Sequence, residues 1–300
     1  MAPLVINPTR SLGPLGEVGS LAFGCWRFTH TDVAEARALV EAALDVGMNL
    51  IDTADVYGLD WGGHGFGSVE SLLGEVLAMD SSLRERMVLA TKGGIIPPVP
   101  YDSSACYLRQ ACEDSLRRLG VEVIDLYQVH RPDLLTHPAE VAATLDELVT
   151  AGKVRAVGVS NHTPAQTEAL AAHLTVPLVT TQPEFSAAHL DPLRDGTFDQ
   201  AMRLGLTPLL WSPLAGGRIV TGEGIRMGLS VALDRVAAAH SVGRATIALA
   251  FALAQAAAPV VIVGSQRPER LVEARAALDV RLQREEIYTI IEAAEGVKLP

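Results

Sequence analysis

Apolar residues along the chain alternate between two spacings. Short continuous runs at Leu21–Cys25, Met48–Ile51, Met87–Thr91, Val123–Val129, Val154–Val159, Leu178–Thr181, Thr207–Leu210 and Val260–Val263 read as strands buried on both faces. Longer segments with helical spacing separate them. Asp32–Val46 puts Val33, Ala36, Leu39, Val40 and Ala43 on one face and stops at Gly47. Ser68–Met79, Ser103–Leu119, Pro138–Thr150, Thr163–His173, Leu190–Leu204, Ser230–His240, Arg244–Ala257, Pro268–Ala277 and Arg284–Ala294 are the further helices. Gly120 suits a left-handed C-cap, Thr163 caps a helix with Pro164 in its first turn, and Pro192 delays the start of another. Ahead of this alternation, Leu4–Ile6 and the Gly/Pro-rich stretch to Gly19 read as a small hairpin whose centre, Arg10–Gly13, carries turn chemistry.

About eight strand–helix units in roughly 250 residues favour an α/β fold closed as a (β/α)8 TIM barrel. The expectation is a single domain over residues 1–300, with the N-terminal β-hairpin and extra C-terminal helices added to the barrel. An open flavodoxin-like or Rossmann sheet is the competing arrangement, suggested by the glycines of Gly62–Gly67. That loop does not follow a strand directly, and Gly63-x-Gly65-x-x-Ser68 lacks the third glycine of a dinucleotide fingerprint. It reads instead as a flexible loop.

Composition narrows the function classes. A formal charge of -11 disfavours a nucleic-acid or anionic-membrane surface, so a phosphate-bearing ligand would need a local basic cluster. Three cysteines, Cys25, Cys106 and Cys112, form no framework and read as reduced thiols of a cytoplasmic protein. The most apolar stretch, Thr246–Val263, is broken by Gln255 and Pro259 and reads as core helix and strand, not a membrane span. The eight histidines show no paired metal-ligand spacing. A small-molecule ligand and a monomer or small homo-oligomer are the expectation.

Active sites of such barrels lie at the C-terminal strand ends. The residues just past each apolar run are Gly24–Trp26, Asp52, Lys92, His130, Ser160–Asn161, Gln182, Trp211–Ser212 and Gly264–Ser265. Singly, an acid there is a turn former and a lysine is solvated. Together with Tyr57, they make a chemistry. A phenol is a poor acid–base group at neutral pH without a nearby cation, and Lys92 supplies one. Asp52 would hold Lys92 charged, and His130 would donate to the same substrate oxygen. Lys92 also leaves open a Schiff-base lyase.

The motifs Asp52-Thr53-Ala54-x-x-Tyr57-Gly58, Thr91-Lys92, Leu126-Tyr127-Gln128-x-His130, Gly152-Lys153-Val154-Arg155-x-x-Gly158-Val159-Ser160-Asn161, Gln182, Trp211-Ser212-Pro213-Leu214 and Pro268-Glu269-Arg270 occur in this order. In them the chain resembles the aldo-keto reductases over nearly its whole length, most of all the bacterial sugar- and general-carbonyl-reductase branches. The resemblance implies reduction of aldehydes, ketones or sugar carbonyls with NADPH, NADH being possible. The reverse oxidation of a sugar or alcohol, or a non-catalytic cofactor-sensing subunit, are its alternatives. It implies that Tyr57 donates the proton, that Lys92 and Asp52 lower its pKa, and that His130 orients the carbonyl. It assigns the nicotinamide carboxamide to Ser160, Asn161 and Gln182, ring stacking to Trp211, and the pyrophosphate to Ser212, Leu214 and Gly216. The adenosine end falls to Gly264, Ser265, Arg267, Arg270 and Glu273. Two departures stand out: the family's common lysine is Gly264 here and its common asparagine is Ala274, with Arg267 as replacement charge. The tail after Glu295 is short, implying an open pocket walled by Trp26, His64, Phe66 and the loop after Pro97.

Overall fold

In the computed structural model, which describes residues 4–299, the expected alternation closes into a ring. Two strands, β1 (Thr9–Ser11) and β2 (Glu17–Gly19), pair antiparallel outside it. The barrel strands are β3 (Leu21–Gly24), β4 (Leu50–Asp52), β5 (Val88–Gly93), β6 (Ile124–Val129), β7 (Val154–Ser160), β8 (Leu178–Gln182), β9 (Thr207–Leu210) and β10 (Val260–Val263). They run parallel in sequence order, and β10 closes against β3. The open-sheet arrangement is thereby excluded. Each strand donates and accepts on both sides, so the sheet leaves no edge.

Helix boundaries follow local chemistry. Asp32 accepts from the amides of Ala34 and Glu35 and starts Val33–Asp45. Thr163 and Gln166 form a capping box at the head of Pro164–Ala171. The expected Leu190–Leu204 helix splits into a 3-10 turn, Asp191–Leu193, and a helix, Thr197–Leu204. Gly196, at φ +88°, cannot sit inside a right-handed helix and becomes its N-cap. The region after Trp211 holds a 3-10 turn at Ala215–Gly217 and a short helix at Arg218–Thr221, neither signalled by periodicity.

The hairpin is present, but its turn lies further on than expected. Arg10 sits in β1, and the turn is the 3-10 segment Gly13–Leu15. Arg10 is largely buried, and its guanidinium donates to the carbonyls of Ala258 (2.9 Å) and Asn7 (2.8 Å), pinning the hairpin to the approach of β10. The turn chemistry belongs to Gly13 and Gly16, both at positive φ. Leu12, Leu15 and Val18 from this hairpin pack with Leu50, Leu126, Val179 and Ile262 in the barrel interior and plug its lower end.

Side-chain parity then stratifies the barrel, because a strand alternates faces with period two. Leu50, Ala90, Leu126 and Ala156 point inward in the apolar layer. Two residues on, Asp52, Lys92, Gln128 and Gly158 occupy the next layer toward the C-terminal rim. Gly158 is obligatory there: a Cβ would fall 2.0 Å from Thr180 Oγ1 and 3.3 Å from Gln128 Cγ. The opposite faces of the strands, Ile51, Leu89, Tyr127 and Val157 among them, pack against the helices in the larger core. No single helix among the described residues is long and apolar enough to cross a membrane.

Candidate active site

The upper layer of the barrel is polar and buried. Lys92 is fully buried; its Nζ donates to Asp52 Oδ2 (2.7 Å), the carbonyl of Thr53 (2.7 Å) and Tyr57 Oη (3.2 Å). The ammonium thus has three acceptors for three protons. Asp52, also buried, accepts through its other oxygen from Gln182 Nε2 (3.0 Å) and Gln128 Nε2 (3.4 Å). Thr180 Oγ1 donates to Gln128 Oε1 at 3.3 Å, which completes the layer. Every charge taken from water here has a partner, as burial demands. The loop carrying Tyr57 is tied to the same strand, since the Asp55 amide donates to the Lys92 carbonyl (3.0 Å). The Tyr57 ring packs edge-on to His130, with centroids 5.8 Å apart.

Protonation follows from these contacts. Burial lowers the Lys92 pKa, but Asp52 and Tyr57 outweigh it and the net shift is upward. The ammonium is therefore permanent at neutral pH. Burial pushes the Tyr57 phenol up; Lys92 pulls it down and Asp52 pushes it up, leaving the balance above the usual value. Lys92 acts downward, in the direction expected of it, whereas the direct effect of Asp52 on the phenol is upward. Asp52 helps the phenol ionise only by fixing Lys92, and in the free chain the phenol keeps its proton. His130 is driven well below the usual imidazole value by burial, then by the charges of Lys92 and Arg131. It is neutral. Its Nδ1 is buried without a hydrogen-bond partner among the described residues.

A depressed histidine links stability to pH in a defined sense. The unfolded imidazole protonates near pH ~6.5 while the folded one stays neutral, so this contribution is intact above that value and is lost as pH falls toward the depressed folded value. The stability of His130→Gln relative to the parent chain is expected to rise as pH drops from 7 to 5. Urea unfolding of both proteins across that range measures it, and a pH-independent difference would refute the buried neutral imidazole.

Around this centre the other rim residues interlock. Asn161 Nδ2 donates to Ser160 Oγ (2.8 Å) and the His130 carbonyl (3.2 Å), and Trp211 Nε1 donates to Asn161 Oδ1 (3.0 Å). Ser160 Oγ donates to the Gln182 carbonyl at 3.1 Å. Gln182 spends its amide protons on Asp52 and Gln128, and its Oε1 receives no protein donor among the described residues. Asn161 and Ser212 both adopt left-handed backbone, at φ +57° and +55°, as do Ala215, Gly216 and Gly217. A Cβ on Gly216 or Gly217 would meet nothing within 4 Å, so these two positions border open space, while Ala215 is buried beneath them. Ser212 Oγ accepts from the Gly216 amide at 3.0 Å and fixes its shape.

Residues 20–295 match the Aldo/keto reductase family. The chain belongs to this family. It is an NAD(P)H-dependent oxidoreductase built on the barrel described above. The chain is 52% identical over 305 aligned residues to a 6-dehydroglucose reductase of Novosphingobium aromaticivorans, with 100% of both chains covered. It is 33% identical to a 6-dehydroglucose reductase of Agrobacterium fabrum, over 91% of this chain and 94% of that one. Among solved structures, an aldo/keto reductase from Klebsiella pneumoniae in complex with NADP and acetate aligns with a TM-score of 0.79 and 25% identity, covering 95% of this chain and 94% of that one.

The remaining candidates of this reductase spread around the rim. Ser265 Oγ accepts from the Arg267 amide at 3.3 Å, at the head of the helix Pro268–Arg275. Gly264, Arg267, Arg270 and Glu273 are exposed, and neither guanidinium has a protein partner among the described residues. Trp26 is 42% exposed and meets Trp61 edge-on at 5.5 Å. The His64 amide donates to Ser68 Oγ at 3.3 Å, holding the loop against its helix. Phe66 lies against Arg118, with 5.8 Å between guanidinium and ring centre, and Arg118 pairs with Glu70 behind β5. Gln128 and Thr180 went unassigned in the sequence, although Gln128 stands two residues past inward-facing Leu126 and parity alone places it in the polar layer. Trp61 and Arg131 carried no comparable signal.

Proposed function

We propose that this enzyme reduces a sugar aldehyde to the primary alcohol with NADPH, taking the proton from Tyr57. The observation that carries the reading is the buried relay in which Lys92 Nζ joins Asp52 Oδ2 at 2.7 Å to Tyr57 Oη at 3.2 Å. The sugar is proposed from the two relatives named 6-dehydroglucose reductase, a name that denotes an aldehyde at C6 of a hexose.

The residues present suit the cofactor. Gln182 Oε1 and the second lone pair of Asn161 Oδ1 can accept from the amide protons of a carboxamide, Ser160 stands beside them, and Trp211 offers a face to a flat ring. Gly216 borders open space beside the Ser212 turn, which suits a pyrophosphate, and Leu214 would anchor this loop against the core beneath it. Ser265, Arg267, Arg270 and Glu273 would meet the adenosine end beside Gly264. When bound, the nicotinamide supplies the hydride. The chain's own part is electrostatic. Neutral His130 aims an Nε2 proton at the carbonyl oxygen, and Tyr57 transfers its phenolic proton to that oxygen. Lys92 stabilises the phenolate left behind, and Asp52 keeps Lys92 charged. Lys92 is a poor nucleophile, since three acceptors hold it protonated, and this favours reduction over a Schiff-base lyase.

Purified protein is expected to consume NADPH with 6-dehydroglucose and with a reactive aldehyde such as 4-nitrobenzaldehyde. Absence of turnover with every aldehyde, ketone and sugar offered would overturn the reading. For the cofactor, unpartnered Arg270 and Arg267 suit a 2′-phosphate, because a guanidinium binds phosphate bidentately. Arg270→Ala is expected to raise the KM for NADPH about 10–100-fold, a charge-assisted bond's worth, and to leave that for NADH nearly unchanged. Equal KM values for the two cofactors in the parent enzyme would remove the NADP preference.

A further inference from the structure

Arg131 follows His130 directly and lies beside it at the mouth of the site. Its guanidinium sits 6.0 Å from the Trp211 ring centre and is close enough to His130 to help keep that imidazole neutral. It is half-buried, yet it takes part in no side-chain hydrogen bond or ion pair among the described residues. This is unusual in a chain of formal charge -11, where carboxylates outnumber cations. The nearest acid in sequence, Asp133, is unavailable: its oxygens accept from the Ser103 amide (2.9 Å), the Leu135 amide (2.9 Å) and Thr136 Oγ1 (2.6 Å). Arg27, which lies against Trp61, is occupied, with its guanidinium 4.0 Å over the Trp61 ring and Nη2 donating to the Gly216 carbonyl (3.1 Å).

Trp61 is itself an anomaly. It is 50% exposed and holds φ +59°, a conformation that bulky residues rarely adopt. Thr29 Oγ1 donates to its carbonyl at 2.9 Å and Arg27 covers its ring, so the strained residue is fixed in place. Exposed Trp26, which leaves the C-terminal end of β3, meets it edge-on. The mouth of the site therefore carries a fixed aromatic pair and, next to His130, the free guanidinium fork of Arg131.

We infer that Arg131 and Trp61 set this enzyme's preference for polyhydroxylated aldehydes: the Arg131 fork donates to two vicinal hydroxyl oxygens of the substrate while the Trp26–Trp61 pair covers the C–H face of the sugar ring. The inference rests on the sugar-aldehyde reading above. Arg131 is the unpartnered cation next to His130, while Arg267 and Arg270 are assigned above to the adenosine end, and one such cation beside neutral hydrogen-bonding groups suits a diol. An anionic aldehyde would be better served by a second free cation, and Arg27 is spent.

The test compares Arg131→Ala, Arg131→Lys and Trp61→Ala with the parent enzyme on 6-dehydroglucose, on butanal, which has no hydroxyls, and on succinate semialdehyde, which carries a carboxylate. Arg131→Ala is expected to lower kcat/KM for the hexose aldehyde about 10²–10⁴-fold, mainly through KM, as two lost charge-assisted bonds imply. Butanal turnover should change less than about 3-fold, which also shows that the variant is folded. Arg131→Lys should not restore the sugar, because an ammonium lacks the fork. Trp61→Ala should raise KM for the sugar and spare butanal. Equal losses on butanal and sugar would overturn the assignment and leave Arg131 acting through His130. A parent enzyme that favours succinate semialdehyde, with that preference lost in Arg131→Ala, would replace the diol by an anion. A parent enzyme active on butanal but inert toward 6-dehydroglucose would sink the sugar reading and the assignment with it.

Discussion

Tyr57→Phe is expected to lower kcat about 10²–10⁴-fold, the range for removing a general acid, with little change in KM for NADPH. The substitution is clean because of how the site is built. The ring stays half-buried beside His130, and only the hydroxyl is lost. Lys92 Nζ keeps Asp52 Oδ2 and the Thr53 carbonyl, so its charge remains paired, and stability should change by no more than about 1 kcal/mol. The pH dependence separates an acid from a merely structural phenol. Burial holds the phenol above its usual pKa and Lys92 is raised as well, so the free parent enzyme should lose kcat/KM only on the alkaline side of the usual phenol value of about 10. The residual rate of Tyr57→Phe should lack that limb. Stopped-flow or steady-state NADPH oxidation with a panel of aldehydes measures both, and a variant with the parent rate would remove Tyr57 from the chemistry.

How much of this was legible beforehand depends on the kind of signal each residue carries. The barrel was readable because eight buried parallel strands leave continuous apolar runs, and because the residue after each run must face the same rim. The polar layer was readable for the same reason: Asp52 and Lys92 stand two residues past inward-facing Leu50 and Ala90. Parity also reaches Gln128, which a reading of strand ends alone passes over. What local pattern cannot convey is who meets whom across the ring. Gln182 looked like a free cofactor ligand, yet its amide protons belong to Asp52 and Gln128. Glu70 has the look of an ordinary first-turn acid of Ser68–Met79, but it is fully buried between Thr91 and Arg118. The hairpin turn shifted because Arg10 finds carbonyls about 250 residues away in sequence, a contact no window contains. The loops after Tyr57 and Trp211 are set by left-handed residues at Trp61, Ser212 and Ala215, which propensity does not anticipate outside glycine.

The largest expected loss of stability at this site comes from Asp52. Asp52→Ala strips a fully buried ammonium of its carboxylate and leaves the Gln182 and Gln128 amides without their acceptor. Breaking such a pair from one side costs about 3–5 kcal/mol, more than the pair itself contributes, because the surviving charge stays desolvated. The pH dependence identifies that cause. In the parent chain Lys92 is raised above its unfolded value, so its contribution is fully present below pH ~10.4 and disappears as pH rises through the folded value. In Asp52→Ala only burial and the phenol remain, and burial drives the lysine below its unfolded value. The sign then inverts: the unfolded chain binds the proton more tightly, and the variant gains stability as pH rises toward 10. The gap between parent and variant should therefore narrow from pH 7 to pH 10, where an ordinary cavity would leave it constant. Urea unfolding of both proteins at several pH values reads the gap directly. A gap that stays fixed, or a loss under about 1 kcal/mol at pH 7, would mean that water reaches Lys92 and that the layer is not the dry ion pair on which the proton relay depends.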